Sequence, residues 1–132
     1  EIANNIMVFK YYQGHFQLIQ AIHCMPRHFK GFSSAAAIRL SHSGNHLFVS
    51  NRGHDSIAMY RVNKESGKIS LLYMVHTKKD PRDFQIVDDR YLIIACQGSN
   101  LLQVMTFNED TEELVLSDSS IEIPEPVCVA FE

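Results

Sequence analysis

The sequence carries one pattern twice. "HLFVSNRGHDSIAMYRV" (46–62) and "YLIIACQGSNLLQVMTF" (91–107) align position for position. Leu47 falls on Leu92, Phe48 on Ile93, Val49 on Ile94, Gly53 on Gly98, Ile57 on Leu102, Met59 on Val104 and Val62 on Phe107, each 45 residues further on. Upstream, Ile38 falls on Phe84 once a one-residue difference in the intervening turn is allowed. A repeat of about 40–50 residues is the period of a propeller blade, a unit that must stack on its neighbours to bury its faces.

Each copy divides into four strand-like runs. The first holds "AAAIRLS", "HLFVSN", "SIAMYRV" and "ISLLYMVHT", separated by "HSGN", "RGHD" and "NKESGK". The second holds "DFQIV", "YLIIAC", "LLQVMTF" and "ELVLSDSSIEI", separated by "DDR", "QGSN" and "NEDTEE". Val, Ile, Leu, Phe and Tyr fill the runs, while Gly, Asn, Asp and Ser punctuate them. No stretch sustains a 3.6-residue period, so the fold class is all-β: a β-propeller of four-stranded antiparallel blades. "SIAMYRV" reads as an exposed-edge strand with Ile57, Met59 and Arg61 on one face. "IMVFKYYQGHFQLIQAIH" echoes the third and fourth strands of a blade, and "PVCVAFE" echoes a first strand. The expected layout is a part-blade over 1–30, blades over 31–79 and 80–125, and the opening strand of another over 126–132. That is about two and a half to three blades, too few for a closed ring. With no initiator methionine, the chain reads as a fragment.

Bulk properties exclude more than they suggest. The 132 residues are 45% hydrophobic and 20% charged with a formal charge of −3, and no basic run points to nucleic acid. No apolar run approaches the roughly 20 residues that span a bilayer. The N-terminus lacks the layout of a signal peptide. Cys24, Cys96 and Cys128 show no CxxC spacing and read as free, buried packing thiols of a reducing, cytoplasmic compartment. Only His42 and His46 have metal-ligand spacing, and flanking Gly44 in a turn they read as solvated loop residues. No metal or cofactor is expected.

Three segments in order, "SNRGHDSIA", "PRDF" and "PVCV", give the chain a family likeness. From about Ile6 to Phe131 it resembles the last third of the lactonase, seven-bladed β-propeller family. That family includes propeller-type 6-phosphogluconolactonases and carboxymuconate-lactonizing enzymes. The resemblance implies a seven-bladed ring that hydrolyses 6-phosphoglucono-δ-lactone to 6-phosphogluconate in the oxidative pentose phosphate route. "CQGSN" departs from the family's Asn-rich turn, and "VDDR" is a shortened one.

Blade topology places the candidate site. The incoming loops "HFKGFSS", "KKDPRD" and "PEP" and the second-to-third-strand turns "NRGHDS" and "CQGSN" should crowd one rim. Arg27, His28, Lys30, Arg52, His54, Lys78, Lys79 and Arg82 lie in or beside them, whereas Glu109, Asp110, Glu112 and Glu113 fall on the opposite rim. Arginine forks suit a phosphate or a developing oxyanion, and an imidazole suits general-base work near neutrality. The expected catalytic residues are therefore Arg52, Arg82 and His54, with Asn51, Asp55 and Asp83 binding substrate or orienting the base. Simpler roles compete: Arg52 bracing loops, His54 and Asp55 satisfying their own turn, Asn51 capping it, and Asp83 partnering Arg82 or an amide. No GxSxG elbow or Cys-His nucleophile pattern appears. The expected partner is a phosphorylated sugar lactone, with no nucleic acid and no membrane. The alternatives are a muconate-type lactonizing cycloisomerase and a non-catalytic binding platform. A fragment lacking most of the ring would be inactive alone and would self-associate through its open sheet edges.

Overall fold

The computed structural model describes residues 3–131. β1 (Asn5–Tyr12) and β2 (His15–His23) form a two-stranded antiparallel sheet. β3 (Ser34–Leu40), β4 (His46–Arg52), β5 (Ser56–Val62) and β6 (Ile69–His76) form a four-stranded sheet in sequential order. β7 (Pro81–Val87), β8 (Tyr91–Cys96), β9 (Leu101–Asn108) and β10 (Glu113–Glu122) repeat that order, with one 3₁₀ turn at Gln97–Ser99. Every pairing is antiparallel, which gives the meander of a propeller blade. We call β3–β6 the first blade and β7–β10 the second.

Two cores lie between the sheets. Phe48, Ile57 and Met59 of the first blade pack against Phe84, Leu92, Ile94, Met105 and Phe107 of the second. Val49, Ala58, Tyr60 and Ile69, on the first blade's other face, pack against Ile6, Cys24 and Met25. Successive side chains of a strand point to opposite faces, and in β5 both faces are covered. Ser56 through Tyr60 are therefore all buried. This corrects the exposed-edge reading of "SIAMYRV": β5 lies inside its sheet, between β4 and β6.

Residues 126–131, read from the sequence as an opening strand, form no strand. A first strand pairs only with the second strand of its own blade, and no described residue supplies one; Glu132 lies outside the described residues. Cys128, expected to be buried, is exposed there, while Cys24 and Cys96 are buried. Burial pushes the Cys96 thiol up to about 12 and raises that of Cys24, so neither carries thiolate character near neutrality. The β1–β2 sheet leaves Phe9, Tyr11, Tyr12 and Phe16 exposed. Among the described residues, no helix is long and apolar enough to cross a membrane.

Candidate functional site

The loops expected to share a rim do meet. The Ser33 hydroxyl donates to the Arg52 carbonyl at 2.8 Å, and Gly53 lies so close to the loop before β3 that a Cβ there would stand 2.2 Å from the Phe32 carbonyl oxygen. Gly53 also has φ +85°, so the close approach and the left-handed backbone both call for glycine. One blade further on, Lys79 N donates to the Ser99 hydroxyl and Gln97 N to the Asp80 carbonyl, each at 2.9 Å. Asp55 stitches the two blades together: its Oδ1 accepts from Gly53 N at 3.1 Å and from Asp80 N at 2.9 Å.

At the inner strands of both blades the pairing slips at the same repeat position. Ala35 pairs Asn51 and Ile38 pairs Val49, so Ala36 and Ala37 bulge opposite Ser50, whose hydroxyl accepts from Ala37 N at 3.0 Å. In β7, Pro81 pairs Cys96 and Asp83 pairs Ala95, which makes Arg82 the extra residue. A bulge re-aims the side chain it carries, and Arg82 is turned out of the sheet into the open.

A concavity of about 320 Å³ lies over these bulges, lined by Ala36, Ala37, Arg39, Arg52, Arg82, Asp83 and Val127. Its walls come from β3, the end of β4, β7 and the segment after β10. Arg52 donates from Nη2 to the Ser34 hydroxyl at 2.6 Å. Asp83 is engaged at both oxygens: Oδ1 accepts from Arg39 Nη2 at 2.8 Å and Oδ2 from Val129 N at 3.0 Å. The sequence suggested Arg82 or an amide as the partner of Asp83; the structure supplies Arg39 and the Val129 amide. Among the described residues, three guanidinium groups and one carboxylate line the hollow, a setting for an oxyanion.

The other expected residues stand elsewhere. His54 is at the same rim but does not line the hollow. Its Nδ1 lies 2.8 Å from the Ser56 hydroxyl, and its ring sits 4.9 Å from that of Phe29 and 5.0 Å from that of His76. Burial first, and the His76 imidazole second, hold His54 below its ordinary value, so it is neutral near pH 7. Asn51 is fully buried, and its Oδ1 accepts from the Cys24 thiol at 3.3 Å. Asp55 gives its Oδ1 to the two backbone amides. Of the residues singled out from the sequence, Arg52, Arg82 and Asp83 line the hollow, from the end of β4 and the start of β7, and Arg39 was not among them. The available signal was its place on an inner strand one residue past Ile38, the match of Phe84.

His46 corrects a second reading. It is buried at the start of β4, with Nε2 2.9 Å from Glu112 and Nδ1 3.6 Å from Glu109. Arg61 pairs with the same Glu112. These contacts join the blades at the end opposite the hollow. No group of three or more His, Cys, Asp or Glu side chains arranged to hold a metal occurs among the described residues.

Comparison with known proteins bears on this geometry. The family model described as lactonase, 7-bladed beta-propeller matches residues 1–131. An uncharacterized protein of Staphylococcus saprophyticus is 40% identical over 99% of this chain, which spans 39% of that relative's length. A periplasmic gluconolactonase of Pseudomonas aeruginosa superposes with a TM-score of 0.91 at 26% identity, over 97% of this chain and 36% of its own. A Bacteroides uniformis protein described as a candidate 6-phosphogluconolactonase superposes with a TM-score of 0.88 at 34% identity, over 97% of this chain and 37% of its own.

Proposed function

The chain belongs to the lactonase, seven-bladed β-propeller family, and from that premise we propose that the intact protein hydrolyses a sugar lactone, with 6-phosphoglucono-δ-lactone its best substrate. The observation that carries this reading is the convergence of Arg52 and Arg82, from consecutive blades, on one hollow. A phosphate monoester carries about −1.5 to −2 at neutral pH, and guanidinium forks bind its oxygens bidentately. One arginine holding the phosphate leaves the other to face the ring ester. Water attacks the lactone carbonyl, its proton passes to a base, and the arginine stabilises the oxyanion that forms. The ring C–O bond then breaks and its oxygen takes up a proton, giving the open acid. δ-Lactones hydrolyse readily without help, so modest assistance suffices. His54, neutral at the same rim, is the base this reading assigns. A phosphorylated metabolite and three thiols outside any disulfide suit a cytoplasmic setting.

One observation favours a second reading. Among the described residues, the only carboxylate lining the hollow is Asp83, and both of its oxygens are engaged. A site with cations and no uncommitted base fits anion binding without turnover.

The test is hydrolysis of 6-phosphoglucono-δ-lactone by the intact protein and its Arg52→Ala, Arg82→Ala and His54→Ala variants. Loss of an oxyanion or phosphate contact should lower kcat/KM by about 10²-fold in each arginine variant. Unchanged rates in both would remove the assignment, and binding of 6-phosphogluconate without turnover would select the second reading. This chain spans 39% of its curated relatives' length. Alone, with the apolar β1–β2 face and its sheet edges open, it is expected to be inactive and to self-associate.

A further inference from the structure

We infer that Arg39 is a third anion contact in the hollow, one that selects the phosphorylated member of the substrate class, and that Asp83 is its positioning residue rather than a general base. The inference rests on the reading of the hollow as a lactone site.

Arg39 projects from β3 and is held before any ligand arrives. Nη2 donates to Asp83 Oδ1 at 2.8 Å and Nη1 to the Ile38 carbonyl at 2.9 Å, while Cζ stands 5.8 Å from the centre of the Phe84 ring. A guanidinium has five N–H donors, so these two bonds leave three. The Arg39 side chain keeps 34% of its surface exposed, against 11% for Asp83. The acid is thus tucked away while the cation still borders the hollow. Ala36 and Ala37 line the same hollow with nothing larger than methyl groups, which leaves room for a bulky tetrahedral anion.

Both oxygens of Asp83 already serve the structure: one is paired with Arg39 and the other accepts the Val129 amide. Its place between β3, β7 and the segment after β10 suits it to fix the direction of Arg39. The pair is also no general inter-blade strut. In the repeat Arg39 corresponds to Gln85 and Asp83 to Ala37, so neither partner recurs in the neighbouring blade.

The donor set then points to a substrate class. Among the described residues, Arg39, Arg52 and Arg82 bring three guanidinium groups to the lining. A phosphate monoester offers three terminal oxygens to such forks, where a carboxylate offers two. Pre-ordered donors bind without first losing side-chain freedom. Arg39 should therefore contribute to discrimination, with the more exposed Arg82 adapting to the ligand.

The experiment uses the intact protein and compares 6-phosphoglucono-δ-lactone with glucono-δ-lactone. Arg39→Ala should lower the phosphorylated-to-unphosphorylated ratio of kcat/KM about tenfold or more, mostly through KM. Arg39→Lys keeps the charge without the fork and should restore part of the ratio, which also carries the test if the alanine variant fails to fold. Asp83→Asn should raise KM for the phosphorylated lactone and leave the pH profile of kcat in place. A collapse of kcat with loss of the acidic limb would make Asp83 the base and overturn its positioning role. An unchanged ratio in both Arg39 variants would overturn the role of Arg39. Calorimetric binding of 6-phosphogluconate against gluconate separates this from the lactonase reading. If the wild type turns over neither lactone, a phosphate preference erased by Arg39→Ala still supports the anion contact, and no preference in the wild type overturns it.

Discussion

At the hairpin end of the two blades, His46 and Arg61 of the first meet Glu109 and Glu112 of the second. At the other end, three arginines and, among the described residues, one carboxylate border a hollow. The strand order repeats, yet at the hairpin end each of these basic side chains meets a carboxylate of the other blade, while at the hollow's end Arg82 meets none among the described residues. The hairpin end is a fastening. At the hollow's end the blades are joined by Asp55 on the Asp80 amide and by the Arg39–Asp83 pair, while Ser33 on the Arg52 carbonyl and Gly53 against Phe32 hold the loops of the first blade together. That division leaves Arg82 without a structural duty and turned outward by a bulge.

The comparison breaks most severely at Gly53. Gly53→Ala in the intact protein forces a Cβ to within 2.2 Å of the Phe32 carbonyl oxygen on a backbone at φ +85°. It should cost about 2–3 kcal/mol in denaturant unfolding. A cost near zero would mean that the loops at the hollow's end are not held together as described. Asp55→Ala comes next, because it strips the acceptor from two backbone amides, and about 1–2 kcal/mol should be lost. Asp55→Asn keeps an oxygen acceptor and should recover most of that. Equal losses in the two variants would show that the negative charge of Asp55, rather than its hydrogen bonds, holds the turn.

Much of this contrast was legible in the sequence. The repeat fixed which loops share a rim, and so separated Arg52 and Arg82 from Glu109 and Glu112. Alternation along a strand, however, reports side-chain type and not what lies against each face. "SIAMYRV" therefore read as an edge although sheets cover it on both sides, and His46 read as a turn residue although Glu112 reaches it from 66 positions away. The bulges at Ala36–Ala37 and Arg82 were hidden for a related reason: a one-residue slip in pairing leaves no compositional mark. Arg39 went unnoticed because its partner lies 44 residues on, in another blade. Asn51 seemed a ligand because polar residues usually mark turns, yet it is buried against Cys24, which the chain delivers from the preceding loop.

A milder test addresses the hairpin end. Hydrogen bonds first from Arg61 and then from His46 hold the Glu112 carboxyl at about 2, below its ordinary 4.5. The folded state thus favours the charged form. The stabilisation is complete above about 4.5 and fades as pH falls toward about 2. Glu112→Gln should remove that stretch of pH dependence from the unfolding midpoint and change little at the hollow's end. If the variant keeps the wild-type slope across the window, another carboxylate is the one that fastens this end.

The smallest expected effect on stability is the most informative about function. Arg82 makes no side-chain hydrogen bond among the described residues and is exposed on the bulge of β7. Its removal should therefore shift unfolding by no more than about 0.5 kcal/mol. The same Arg82→Ala substitution should cost about 10²-fold in lactone turnover, an effect that a bracing residue could not produce without a matching loss of stability. Comparable changes in both measurements would place Arg82 with the fastenings, and the two ends of the blades would then differ only in which groups hold them together.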